Sequence, residues 1–99
     1  MKEQINPEFK DMILRAMEYH FPGARVILFG SRATGTHREG SDVDIAVDAK
    51  IRIEPREVVR ARLTLDNLYM PLNVDLVDLN AIPQELKEVI LKEGVVWKN

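Results

Sequence analysis

Apolar residues recur along this chain at two spacings, one typical of amphipathic helices and one typical of buried strands. Asn6 followed by Pro7 is a favoured helix start, and the apolar residues after this pair are spaced three and four apart. The continuous apolar run at 26–29 instead indicates a buried strand. The predicted elements, in chain order, are a helix at 7–20, a strand at 25–29, a short helix at 31–35, a strand at 43–47, a helix at 55–68, a strand at 72–77, a helix opened by Pro83 and a short strand at 95–97.

Two features of this order predict how the elements pack. The connection between the first two strands is short, so we expect them to pair antiparallel. In the last helix Leu86, Val89 and Ile90 have the spacing of an inward face, and Gly94 suits its C-terminal cap. The sequence therefore predicts an α+β fold with a small mixed or antiparallel sheet of three to four strands packed with helices.

The composition narrows the class of protein further. The 99 residues suffice for a single domain, 1–99, with a modest core. A net charge of −2 argues against general nucleic-acid binding, which normally needs a basic face. The absence of cysteine excludes disulfides and cysteine-ligated zinc, and no apolar run approaches the roughly 18 residues of a membrane span. We expect a cytoplasmic protein that does not bind membranes.

The segment from residue 30 to residue 44 carries the candidate chemistry. Gly30-Ser31 follows a predicted strand directly, where a glycine lets the main chain approach a ligand and the next amides can hold phosphate oxygens. Asp42 and Asp44 open the next strand two residues apart, so both carboxylates point to one face. Divalent cations that carry a phosphate ligand would relieve the repulsion between them. A plain turn with a serine cap is the simpler interpretation of Gly30-Ser31 taken alone.

Asp75 repeats this pattern on a later strand. Asp has poor strand propensity, and a buried, unpaired carboxylate costs several kcal/mol, so Asp44 and Asp75 need a partner unless their sheet face is exposed. If Asp75 faces Asp42 and Asp44, three carboxylates converge. Such a cluster can bind two divalent ions, and Asp75 can accept a proton from an attacking hydroxyl.

Basic and polar side chains near this segment allow more than one role. Arg32 could reach a triphosphate, and a solvated or carboxylate-paired arginine at a helix start is an equally good interpretation. His37, Arg38 and Glu39 form a polar tip between the two halves of the segment. This tip is either a solvated loop or a contact to a phosphate or to the acceptor.

Taken together, Gly30-Ser31 and Asp42-x-Asp44, with Asp75 on a later strand, resemble the polymerase-β-like nucleotidyltransferase superfamily. The resemblance implies the palm fold of that superfamily, a Gly-Ser turn that holds the triphosphate, an aspartate pair that binds two Mg²⁺ ions, and a third aspartate that completes the site. The short chain is similar to the minimal branch of the superfamily, the MNT-domain proteins.

The resemblance also implies a partner and a reaction. Members of the minimal branch commonly pair, as antitoxins, with a helical toxin of the HEPN type, onto which they are thought to transfer AMP. The implied substrate is ATP or another NTP, and the acceptor pocket would come from the partner chain or from a second copy of this one. Candidate interface residues are apolar positions outside the motif, each of which could equally be core: Leu63, Leu68, Tyr69, Met70 and Trp97.

Three interpretations of function follow from the motif. The first is an enzyme that transfers a nucleoside monophosphate to a hydroxyl acceptor. The second is a non-catalytic, nucleotide-binding antitoxin that neutralises its helical partner by complex formation alone. The third is a small domain whose acidic residues are only surface charge.

Overall fold

The computed structural model of the protein describes residues 5–99, so residues 1–4 of the predicted 1–99 domain lie outside the described part. Helices and strands occur in the predicted order. The helices are α1 (Pro7–His20), α2 (Ser31–Thr34), α3 (Pro55–Asp66) and α4 (Gln84–Glu93), and the strands are β1 (Arg25–Phe29), β2 (Val43–Asp48), β3 (Val74–Asp78) and β4 (Val95–Lys98). None of the helices described within residues 5–99 is long and apolar enough to cross a membrane.

The strands form one mixed sheet in the order β3-β2-β1-β4. β1 pairs antiparallel with both β2 and β4, as expected from the short connection between the first two strands. β2 and β3 are parallel, which the long connection through α3 permits. The predicted α+β fold with a small mixed sheet is therefore confirmed.

The two faces of the sheet are covered unequally. α1 and α3 pack on the first face, where they enclose the larger core, and His20 Nε2 hydrogen-bonds Thr64 Oγ1 at 2.7 Å between these two helices. The second face carries a smaller cluster under α4. The buried members of that cluster are Ile27, Ala46, Leu79 and Ile90. The side of the sheet that α4 covers is also the side to which Asp44 and Asp75 belong.

The predicted inner face of α4 is only partly correct. Of the three residues expected on the inner face of α4, only Ile90 is buried, and Leu86 and Val89 remain 39% and 48% exposed. The reason is that one helix lies on this face of the sheet and nothing in residues 5–99 packs against its outer side. Gly94 caps α4 as expected, but with an extended main chain, and a Cβ there would overlap the side chain of Ile27.

The third strand is shorter at its start than predicted. β3 begins at Val74 rather than at residue 72, and it ends at Asp78, which is buried. The carboxylate of Asp78 accepts hydrogen bonds from the main-chain N–H groups of Ile53, at 2.7 Å, and Asn80, at 3.0 Å. These hydrogen bonds to Asp78 therefore hold the loop before α3 against the end of β3.

Candidate active site

The pairing of β2 with β3 brings the predicted carboxylates together. Asp44 and Asp75 are direct partners in the parallel register, so their side chains leave the sheet on the same face. Asp42 precedes β2 by one residue and is exposed. Asp75 is exposed as well, because β3 is an edge strand, whereas Asp44 is half-buried between β1 and β3. The three carboxylates thus share one end and one face of the sheet.

The turn at Gly30 closes this site from the side of β1. Phe29, the last residue of β1, is the register partner of Asp44, so the chain turns into α2 directly beside that carboxylate. Gly30 has φ 75° and ψ −157°, a conformation that is nearly restricted to glycine. A Cβ at Gly30 would overlap Oδ2 of Asp44. Glycine is therefore required here both by the main chain and by the neighbouring carboxylate, and Ser31 follows as the first residue of α2.

The crowding of carboxylates changes the acidity of Asp44. Its pKa is raised above the ordinary value, first by burial and then by the negative charges of Asp75 and Asp42. A cation between these groups would remove the repulsion, and an all-carboxylate oxygen set suits a hard divalent ion. Within residues 5–99, no three His, Asp or Glu side chains already converge as a ready metal cluster. The site thus has the donors and the charge for a cation, and its side chains would have to close around one.

The raised pKa predicts how the stability of the metal-free protein depends on pH. The folded chain binds the Asp44 proton more tightly than the unfolded chain does, so Asp44 lowers the free energy of unfolding at neutral pH. This penalty is constant above the folded pKa and disappears as the pH falls from that value towards 3.8. We expect D44N to be more stable than the natural protein at pH 7, and the difference to shrink on acidification.

Thermal unfolding of both proteins in EDTA, between pH 7 and pH 3.5, checks this prediction. Titrating groups that do not interact with Asp44 contribute equally to the two proteins, so they cancel in the difference. A difference that stays constant over this range would mean that Asp44 has an ordinary pKa.

A second strand carboxylate on the same face is held by different contacts. Asp48 Oδ2 pairs with Arg25 Nη2 at 2.9 Å, and Asp48 Oδ1 accepts from Asn80 Nδ2 and from the Lys50 N–H, both at 2.8 Å. Burial alone would raise the pKa of Asp48, but these hydrogen bonds and the Arg25 charge outweigh burial and lower it. Asp48 is therefore a paired residue of the sheet and is not part of the carboxylate cluster of Asp42, Asp44 and Asp75.

Arg32 is buried against the loop that precedes β2. Its side chain is only 7% exposed, and its Nε and Nη2 donate to the carbonyl oxygen of Ser41 at 3.1 and 2.9 Å. These contacts give no support to a role as triphosphate ligand. The sequence gives no direct sign of the Arg32–Ser41 contact, because nine residues and a loop separate them.

The remaining candidates divide between surface and core. His37 is half-buried, and its Nδ1 is buried without a hydrogen-bond partner among residues 5–99. Of the five apolar interface candidates, Leu63 is 57% and Tyr69 is 97% exposed. The other three are partly buried and pack against the larger core: Leu68, Met70 and Trp97.

A mixed sheet with paired aspartates at the start of a central strand, opposite a Gly-Ser turn, defines the class of polymerase-β-like nucleotidyltransferases. The chain belongs to the family described as polymerase beta, nucleotidyltransferase, since the model of that family matches residues 13–98. It is accordingly a nucleotidyltransferase by family and by fold. A comparison with curated protein sequences finds no match.

Solved structures with the same fold include toxin–antitoxin complexes. One is a toxin–antitoxin with AMP-PNP, at 27% identity and a TM-score of 0.77, covering 91% of this chain and 73% of that one. Another is described as a candidate minimal nucleotidyltransferase, at 31% identity and a TM-score of 0.67, covering 87% and 86% of the two chains. A third, a Shewanella oneidensis complex of a tri-AMPylated HEPN toxin with its MNT antitoxin, shares the fold at 23% identity and a TM-score of 0.70, covering 93% and 71%.

Proposed function

We propose that the protein is a metal-dependent nucleotidyltransferase that moves AMP from ATP onto a hydroxyl of a separate helical partner of the HEPN type. The observation that carries this proposal is the register of β2 and β3, which sets Asp44 against Asp75 beside the Gly30 turn. The family assignment supports the reaction class. The toxin–antitoxin structure with AMP-PNP supports an adenine nucleotide as substrate. A reaction that consumes ATP also agrees with the expected cytoplasmic location.

Asp42, Asp44 and Asp75 are the residues that would hold Mg²⁺, with two ions expected. Their oxygens are the donors that Mg²⁺ prefers. The pKa of Asp44 is raised first by burial and then by the repulsion from Asp75 and Asp42, which a cation would relieve. When bound, the metal would neutralise charge on the triphosphate and on the pyrophosphate leaving group and would lower the pKa of the attacking hydroxyl.

The protein's own groups then have separate tasks. The main chain at Gly30 and the hydroxyl of Ser31 would orient the phosphates, since Gly30 lies directly beside the Asp44 carboxylate and has no side chain of its own. Asp75 lies on the exposed edge strand, where an acceptor hydroxyl from another chain can approach it. We assign to Asp75 the acceptance of the proton that this hydroxyl loses.

A partner chain fits the architecture. The described residues form a sheet with four helices and include no further layer beside β3 that could bind an acceptor. The exposed Leu63 and Tyr69 lie on α3 and on the loop that leads to β3, so they are our candidates for partner contacts. The toxin–antitoxin complexes among the solved structures support a heteromeric arrangement. A second copy of this chain would be the alternative source of the acceptor.

Neutralisation of the partner by complex formation alone is the competing function. We expect D44N to retain the complex with the partner, because Asp44 is half-buried on the α4 face of the sheet whereas Leu63 lies on α3, which packs on the other face. We expect the variant to lose neutralisation of the partner's toxicity. Co-purification measures the complex, and growth of cells that express both chains measures neutralisation. Full neutralisation by D44N within an intact complex would favour the non-catalytic antitoxin.

A further inference from the structure

The peptide groups on both sides of Asp42 are held by hydrogen bonds, although its side chain is exposed. The carbonyl oxygen of Ser41, in the peptide group before Asp42, accepts from Nε and Nη2 of Arg32. The N–H of Val43, in the peptide group after Asp42, donates to the carbonyl oxygen of Asn73 at 2.8 Å. The orientation of the Asp42 carboxylate therefore depends on two anchors, one from α2 and one from the segment before β3.

Ser41 is fixed by all three of its polar groups. Besides its carbonyl, its N–H donates to the carbonyl oxygen of Arg38 at 3.0 Å, and its hydroxyl accepts from the N–H of Arg38 at 2.9 Å. The bonds to Arg38 lie within an exposed turn, whereas the bonds from Arg32 come from a buried side chain. Arg32 is thus the contact that joins this turn to the rest of the protein.

Arg32 also belongs to the other half of the site. It is the second residue of α2, and α2 starts at the Gly30 turn that faces Asp44. Two N–H donors of one planar group that converge on the same oxygen fix direction as well as distance, which a single ammonium does not. The Arg32 guanidinium therefore links the position of Asp42 to the position of the Gly30 turn.

We infer that Arg32 is a positioning residue, which orients Asp42 for metal binding through the carbonyl of Ser41 and does not itself contact the triphosphate. This inference rests on the proposed metal-dependent function. In this inference Arg32 is a positioning residue instead of the predicted nucleotide ligand. Its buried side chain links Gly30-Ser31 to Asp42 and Asp44.

The test measures how tightly the protein binds Mn²⁺ in the presence of AMP-PNP. The binding is monitored by the electron paramagnetic resonance signal of free Mn²⁺. We expect R32K to weaken Mn²⁺ binding by about tenfold, as is typical when a residue that orients a metal ligand is changed. Binding of AMP-PNP measured by calorimetry in EDTA should stay within about twofold of the natural protein, because a positioning residue makes no phosphate contact.

R25K is the matched control. Arg25 also donates to an acceptor on β2, but it lies at the opposite end of β1 from Gly30. It should therefore reproduce any loss of thermal stability without weakening Mn²⁺ binding. If R32K does not fold, R32Q replaces it, since its side-chain amide can donate at most one N–H group to the Ser41 carbonyl and should weaken Mn²⁺ binding in the same direction.

The outcomes separate this inference from the proposed function. Unchanged Mn²⁺ binding in R32K, or in R32Q where that variant stands in, overturns the positioning role. Weaker nucleotide binding in EDTA overturns it as well, because that result would make Arg32 a phosphate ligand. Absence of Mn²⁺ binding by the natural protein itself overturns the proposed metal site, and with it this inference.

Discussion

D44N is expected to lower nucleotidyl transfer by two to three orders of magnitude, or about 3–4 kcal/mol in activation free energy, while the fold persists. Asp44 lies on β2, between the Gly30 turn at the end of β1 and Asp75 on β3, so its charge is central to any cation held there. Asparagine keeps the size of the side chain and removes this charge. Steady-state release of pyrophosphate with a saturating acceptor measures the effect.

D48N is the matched control for this change. Asp48 lies four residues further along β2 on the same face, and its oxygens are already occupied by Arg25, Asn80 and the main chain of Lys50. We expect D48N to lower the melting temperature and to keep turnover within about twofold, since breaking a paired, partly buried carboxylate costs stability. Thus D44N should lose activity without losing stability, and D48N should do the reverse.

The turnover of D44N compared with that of D48N tests whether the missing Asp44 charge causes the loss of activity. A fall of less than about tenfold in D44N, roughly 1.4 kcal/mol, would remove Asp44 from the chemistry. An equal loss of activity in both variants would mean that general disturbance of β2, and not the missing charge, is responsible.

G30A is expected to reduce both stability and activity, the latter by at least about a hundredfold. The conformation of Gly30 costs a residue with a side chain about 1–3 kcal/mol in free energy of unfolding. In addition, the new methyl group would overlap the Asp44 carboxylate, which must then move from its place opposite Asp75. A displacement of about 1 Å in a reacting group can lower a rate by a hundredfold.

G23A separates these two contributions. Gly23 also has a positive φ, 79°, but a Cβ there meets no atom within 4 Å. G23A should therefore lose about 1 kcal/mol in the free energy of unfolding, measured by urea denaturation, and retain full turnover. If G30A retains as much turnover as G23A, the contact between Gly30 and Asp44 has no part in catalysis.

Most of the fold could be predicted from local signals in the sequence. Asn6 caps α1 through a bond from the Glu8 N–H at 2.8 Å, and Pro55 opens α3, because capping and proline effects act within one turn. The antiparallel pairing of β1 with β2 followed from a short connection. The exposure of Leu86 on α4 could not be predicted, since helical spacing indicates which residues share a face but not whether another layer covers it.

The candidate site was predictable in its residues and not in its contacts. Asp42 and Asp44 share a face by strand parity alone, whereas the register that brings Asp75 opposite Asp44 is a property of the sheet. The contact of Arg32 with Ser41 depends on the path of the loop between α2 and β2, which no local pattern encodes. The sequence therefore predicts the candidate residues, and the contact between Arg32 and Ser41 is seen only in the structure.

Transfer of label from α-³²P-ATP tests the central claim most directly. The protein is incubated with Mg²⁺ and a lysate of its native host, in parallel with D44N and with a sample that contains EDTA. We predict one labelled acceptor, of the size of a separate partner protein, with the natural protein alone. Absence of label with each of the four NTPs, together with a stable partner that co-purifies, would contradict nucleotidyl transfer and leave the binding function.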